Sequence, residues 1–375
     1  MKKFKYENLK TVADIFEKDF TFGTFDLRHG YHHIPIAEED QKYLGFSWTF
    51  PDGRTRFFVF LVLPFGLASA CYAFTKLMRP LVKKWRSMGF RVVVYLDDGI
   101  FGSHSVHLTK QHSLIIKYYL ERAGLTINTK KSNFEPSTIG KWLGFEIDTH
   151  LMIFKVPAQK IQHLKNLIIE CLSATKVTAK QISRISGRII SMSLAFGNIA
   201  RLFTRQMYKF IESRKFWFKP EIISVELFSE LKFWLEGLDN NNGFRIKQNI
   251  QTTKVVYSDA SGTGYGGYIV DRLGNEIARG TFTEFERGTS STYRELLAVK
   301  NVLQSVGFLL RNESVQWNTD NINVVRIIQA GSSKEHLQAK AIEIYEFCIC
   351  YDIEIFPLWI PREQNEIADH IFLST

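Results

Sequence analysis

Cysteine is scarce in this chain: four in 375 residues, at Cys71, Cys171, Cys348 and Cys350. None forms a CxxC pair or has a histidine at zinc-ligand spacing, which argues against a disulfide framework and a cysteine-based zinc site. Reduced thiols in the core of an intracellular protein are expected instead. Long apolar runs are missing too. No stretch approaches the roughly 18–20 residues needed to span a bilayer, and no apolar segment follows the basic start MKKFKYENLK, so neither a membrane partner nor a secretory signal is expected. Internal repeats, low-complexity tracts and long linkers are also absent. The glycine-rich segment SGTGYGG is not followed by the GKS or GKT of a phosphate-cradling loop.

What is present describes a packed globular chain. Hydrophobic residues make up 45%, with 31 Phe, and the length allows two or three domains with separate cores. Lys and Arg outnumber Asp and Glu by 48 to 38, giving a net charge of +10, a balance that favours a polyanionic partner. From Phe20 to about Leu63 the pattern is strand-rich, with a turn at PDGR. A helix is expected from about Ser69 to Lys84, its apolar positions being Tyr72, Ala73, Leu77, Leu81 and Val82, and another from Val106 to Ala123. Strands follow at WLGFEI (Trp142 to Ile147) and MIFKV (Met152 to Val156), then basic helices from Ala158 to about Arg214. After NNNG, strand, turn, strand, helix and strand alternate, which reads as a separate α/β domain.

Two groups of acids stand out. FRVVVYLDDGIFGS runs as an apolar strand into Asp97 and Asp98, then returns as a second strand. Adjacent carboxylates at the end of a buried strand call for a neutralising cation, yet Asp-Asp-Gly is also a good hairpin turn. Asp26 sits in FDLRHGYHHIPI, a half-buried strand interrupted at Gly30; with Asp97 it would supply the pair of acids that two-metal phosphoryl transfer needs, while alone it reads as a surface strand residue. In the C-terminal part, Asp259 ends a strand ahead of the turn carrying Gly262, Gly264, Gly266 and Gly267. Glu295 lies early in a helix capped at Ser290 or Ser291, and Asp369 sits in NEIADHIF. Asp320 closes the strand VQWNT, where helix N-capping is its ordinary role.

In order and spacing, DLRHGY, LPFGL, YLDD, GLTINTKKS and WLGFEID resemble the palm motifs of reverse transcriptases. The resemblance implies an α/β (α+β) fold: a palm with partial fingers over 1–156, a helical thumb and connection over 157–251, and a ribonuclease H-like α/β domain over 252–375. It implies that Asp26, Asp97 and Asp98 are the polymerase acids and that Asp259, Glu295, Asp320 and Asp369 are the nuclease acids. Each set would hold two Mg²⁺ or Mn²⁺ ions. Tyr31 matches the residue that excludes a ribose 2′-hydroxyl, Phe65 and Gly66 the dNTP-pocket turn, and Lys131, with Lys130 beside it, the proton-donating lysine. Trp142, Leu143 and Gly144 match the primer-grip hairpin. Two departures stand out: Phe65 replaces the glutamine of many relatives, and WIPREQNEIAD has Arg362 where several carry a histidine. Only 25 residues precede Asp26, so a truncated fingers region is expected.

YLDDGIFGS, VTAKQISRISGRI, SSTYRELLAV and WIPREQNEIAD look most like DIRS-type retrotransposons, which encode a tyrosine recombinase elsewhere. The partners so implied are an RNA template, a DNA primer, RNA/DNA hybrid and dNTPs, with other retroelement-encoded proteins, in cytoplasm or nucleus. Three functions remain open at this level. They are a polymerase with ribonuclease H activity, a polymerase-dead fragment retaining only ribonuclease H, and a non-catalytic nucleic-acid-binding relic.

Overall fold

The computed structural model describes residues 5–246, 252–270 and 275–373, apart from the side chains of Asp369 and residues 372–373. The chain divides into two compact units, Met1–Pro157 with Gly243–Gln248, and Ala158–Asn242 with Asn249–Thr375. No helix among the described residues is long and apolar enough to cross a membrane.

In the first unit the strands are β1 (Thr21–Asp26), β2 (Gly45–Thr49), β3 (Thr55–Val59), β4 (Arg91–Tyr95) and β5 (Asp98–Ser103). They continue as β6 (Asn133–Ser137), β7 (Ile139–Trp142), β8 (Phe145–Asp148), β9 (Ile153–Lys155) and the late β10 (Phe244–Arg245). The antiparallel sheet β4-β5-β1-β6 carries the site, while β10-β9-β8-β7 and the exposed ribbon β2-β3 are separate. Helices Ala70–Ser87 and Val106–Arg122 cover the first sheet through a core of Phe25, Phe74, Trp85, Phe101, Ile116 and Leu120. Gly99 faces Phe25 across β1 and β5, and a Cβ there would lie 2.2 Å from the ring, so only glycine lets the two strands pair.

Several expectations need correction. The buried stripe of the first helix is Ala70, Phe74, Met78 and Trp85; Leu77 points to solvent. The break in FDLRHGYHHIPI comes earlier than Gly30: β1 stops at Asp26, and Gly30–His33 is a 3₁₀ turn. WLGFEI is broken by a tight turn in which Leu143 (φ 46°) and Gly144 (φ 77°) are left-handed. Cys171 and Cys348 are core residues, whereas Cys71 is half-buried and Cys350 exposed.

The second unit begins with helices Ala158–Ser173, Ala179–Ser191, Arg205–Glu212 and Val225–Gly237. Thr178 and Gln181 form a reciprocal capping box that starts the second of them. Strands β11 (Lys254–Ala260), β12 (Gly264–Val270), β13 (Glu276–Thr281), β14 (Ser314–Thr319) and β15 (Glu354–Trp359) follow, in the order β13-β12-β11-β14-β15. β11, β14 and β15 are parallel, and β12 and β13 run antiparallel to their neighbours. Helix Ser291–Val306 packs on this sheet through Leu296, Val299, Val302, Leu303 and Val306, near heptad spacing. Gly264, Gly266 and Gly267 lie within β12, not in the turn before it; Cβ atoms on the last two would meet the Ala368 carbonyl and Val302 at 2.7 and 2.6 Å.

One buried acid in this unit has a titration consequence. Glu230 accepts hydrogen bonds from the backbone N–H groups of Gln206 (3.1 Å) and Met207 (2.9 Å) at the start of helix Arg205–Glu212. Burial outweighs these bonds and pushes its carboxyl up to about 7. A raised carboxyl contributes stability that is complete below its unfolded value near 4.5 and is lost as pH rises through about 7. Glu230's own contribution to stability should therefore fall by on the order of 3 kcal/mol across that window. Glu230→Gln should lessen the fall in stability over that window, and an unchanged slope in melting curves would dismiss the assignment.

Candidate active sites

The first candidate site is built at the end of β1. Asp26, the last residue of that strand, pairs in register with Asp98, the first residue of β5. Between β4 and β5 the chain reverses through Leu96 and Asp97, with Leu96 held at φ 55°, a conformation costly for a branched side chain. The Leu27 N–H donates to the Asp97 carbonyl at 2.8 Å, which closes the bend against β1. Gly30 passes so near that a Cβ would come 2.9 Å from the Asp97 Cβ, the physical reason for the glycine in DLRHGY.

The electrostatics are those of crowded acids. Burial pushes Asp98 up to about 7, with the Asp26 charge adding to it, and burial also raises Asp97. Lys131 Nζ lies 3.7 Å from Asp26, and its charge also favours the ionised forms of Asp97 and Asp98. Asn128 Nδ2 donates to Asp26 Oδ1 at 2.8 Å, and the Asp26 N–H donates to Ser132 Oγ at 3.0 Å. Asn128 and Ser132 do not stand out in the sequence, although both lie in TINTKKS next to the lysine.

Tyr31 is buried beside these acids. Its hydroxyl is 2.9 Å from Cys71 Sγ, and its ring lies 5.1 Å from Phe65 and 5.5 Å from Phe74. Phe65 is exposed, and Gly66 takes φ 89° with nothing within 4 Å of a Cβ, so its glycine serves the turn conformation. Trp142 is a buried side chain, with the Leu143–Gly144 turn after it. Its indole draws the Asp98 pKa downward, but the geometry falls short of a hydrogen bond and the buried N–H is left without one.

The second candidate site brings three acids together. Carboxylate oxygens of Asp259, Glu295 and Asp320 all lie within 4.8 Å of one another, from β11, from helix Ser291–Val306 and from the residue after β14. Asn321, not Asp320, caps the following helix, its Oδ1 accepting from the Asn323 N–H at 3.0 Å. Ser290 is the cap ahead of Glu295. Burial first, then the charges of Asp259 and Asp320, push Glu295 up to about 9, and its Oε2 is buried without a hydrogen-bond partner. Asn365 Nδ2 donates to Asp259 Oδ1 (3.3 Å) and to the Ser258 carbonyl (3.1 Å), an arrangement hidden in PREQNEIAD. Asp369 is in helix Glu366–Leu373, but its side chain lies outside the described residues. Three acids this close, one with an orphaned buried oxygen, fit a divalent cation. Among the described residues, Asp26, Asp97 and Asp98 do not form such a group.

Comparison with known proteins places this geometry. Residues 4–147 match the reverse transcriptase (RNA-dependent DNA polymerase) family model. The reverse transcriptase match thus contains Asp26, Tyr31, Phe65, Gly66, Asp97, Asp98, Lys131 and Trp142. The chain is 26% identical over 381 residues to the enzymatic polyprotein of figwort mosaic virus, covering 96% of this chain and 52% of that protein. It is 23% identical over 316 residues to the genome polyprotein of petunia vein clearing virus, covering 82% and 13%. The chain thus spans about half the length, or less, of these relatives. A foamy viral protease-reverse transcriptase solved in complex with RNA/DNA hybrid is similar in structure (TM-score 0.54, 18% identity, 94% of this chain and 46% of that one). The same protein with double-stranded DNA gives TM-score 0.55 at 17% identity, over 96% and 71%. The fold is therefore the mixed α/β reverse transcriptase fold.

Proposed function

We propose that the chain is an RNA-directed DNA polymerase with ribonuclease H activity that copies a retroelement RNA. The observation that carries this reading is the in-register pairing of Asp26 with Asp98, with Asp97 at the bend, inside the segment that matches reverse transcriptases. On this reading the palm and fingers segment spans 1–156, the thumb and connection 157–251, and the ribonuclease H-like domain 252–375. Its partners are an RNA template, a DNA primer, RNA/DNA hybrid and dNTPs. YLDDGIFGS and WIPREQNEIAD support a DIRS-type element, working in cytoplasm or nucleus.

Asp26, Asp97 and Asp98 would hold the cations of one site, and Asp259, Glu295, Asp320 and Asp369 those of the other. Bound Mg²⁺ or Mn²⁺, two ions per site, supplies neutralisation of the attacking and leaving oxygens. Lys131, 3.7 Å from Asp26, would deliver a proton to the leaving pyrophosphate. The Tyr31 ring, braced by Phe74 and tied to Cys71, is the wall against which a 2′-hydroxyl would clash. Trp142, Leu143 and Gly144 form the hairpin turn that supports the primer end, with Trp142 as its buried anchor.

One labelled RNA template annealed to a labelled DNA primer, with Mg²⁺ and dNTPs, tests the whole reading on a single gel. Extension and RNA cleavage are both expected, and silence in both channels from folded protein would overturn it. Tyr31→Ala should raise ribonucleotide incorporation relative to deoxyribonucleotide by about tenfold or more, since the smaller side chain removes the clash. Unchanged sugar discrimination in single-nucleotide kinetics would take Tyr31 out of the pocket.

A further inference from the structure

The loop after helix Arg205–Glu212 reads RKFWFKP, from Arg214 to Pro220, and contains no acid. Phe216, Trp217 and Phe218 are 61%, 45% and 69% exposed. Single exposed aromatics are ordinary, but three in succession leave an unusual amount of apolar ring surface open to water. The backbone beneath them is fastened. The Lys180 N–H donates to the Trp217 carbonyl at 3.2 Å, and Val177 and Glu221 exchange two backbone bonds of 2.9 Å. The rings are thus presented on a held loop whose anchor is the capped start of helix Ala179–Ser191.

Cations surround them. Lys180 Nζ lies 4.8 Å from the Phe218 ring and Lys215 Nζ 5.9 Å from the Phe216 ring. Lys176 is exposed on the adjoining turn, and Lys219 lies 3.2 Å from Glu221, the nearest acid along the chain. An occupant must offer flat π faces and a line of negative charge together. Duplex nucleic acid buries its base faces in the stack, whereas a single strand exposes both features.

We propose that residues 214–219, with Lys176 and Lys180, form a stacking platform for single-stranded nucleic acid. The platform is additional to the two carboxylate clusters and does not depend on catalysis at either.

The test is fluorescence anisotropy of the full chain with short labelled oligo(dT) and oligo(U), against a blunt duplex of equal length. The triple variant Phe216→Ala, Trp217→Ala, Phe218→Ala should lose at least about tenfold in single-strand affinity and stay within about twofold on duplex. Lys215→Gln with Lys219→Gln should lower the slope of log affinity against log salt by about 0.7 for each single-strand phosphate no longer neutralised. If circular dichroism shows the triple variant unfolded, Trp217→Phe should keep binding and Trp217→Ala should lose it.

Equal loss on single strand and duplex would overturn the proposal, as would no loss. So would unchanged oligonucleotide binding with loss of adhesion to phosphatidylserine vesicles, or with a dimer becoming monomer in sedimentation. Binding through these rings by a chain that neither extends primers nor cuts hybrid would uphold the platform and remove the enzymatic reading.

Discussion

Asp97→Asn should reduce primer extension by about 10³-fold or more while leaving the protein at least as stable as before. The two halves of that result have one cause. The carboxylate at position 97 is raised by burial and by Asp26, so its charge is a cost to the fold and an asset only with a cation. Asparagine has the same outline and preserves the close approach of Gly30. Melting curves without metal should therefore show no loss, and rapid-quench extension on the primed template should show nearly all the effect. A variant that melts early, or one that extends normally, would separate Asp97 from the chemistry.

Asp320→Asn should abolish RNA cleavage in the hybrid and spare DNA synthesis. Asp320 helps push Glu295 up to about 9, and its oxygens close on those of Glu295 and Asp259 to within 4.8 Å. Removing one charge relieves that repulsion, so the metal-free variant should melt no lower than the parent. What it should lose is the extra stability the parent gains on adding Mg²⁺, because a ligand that binds only the folded state stabilises it. The helix after β14 keeps its start, since Asn321 supplies the cap. Loss of extension in parallel with cleavage would mean that the substitution damaged the whole chain.

The parts legible in the sequence were those governed by short-range pattern. A β-branched run ending in Asp97 and Asp98 has few ways to fold other than a buried strand and a bend, and the structure has that hairpin. The alternation of strand and helix after Thr252 likewise gave a mixed sheet with Asp259, Glu295 and Asp320 on three elements. What escaped depends on partners distant in the chain. The inward stripe of helix Ala70–Ser87 is set by which residues meet Phe25 and Ile116, and periodicity alone did not choose between adjacent faces. The turn at Leu143 places a non-glycine residue at positive φ, which local propensity disfavours. Asn128 and Asn365 gain meaning only when the fold brings Asp26 and Asp259 to them, across 102 and 106 residues.

The helices of 158–242 and the mixed sheet belong to one compact unit. The Arg205 guanidinium donates to the Ala330 carbonyl, Gln338 Nε2 donates to the Leu202 carbonyl at 2.8 Å, and Phe203 packs edge-on against Tyr345 at 5.5 Å. For evolution by exchange of parts, this seam means that a lineage acquiring the mixed sheet from elsewhere would also have to inherit, or reinvent, the helical surface at Leu202, Phe203 and Arg205. The transferable module would therefore begin near Ala158, well upstream of the sheet's first strand.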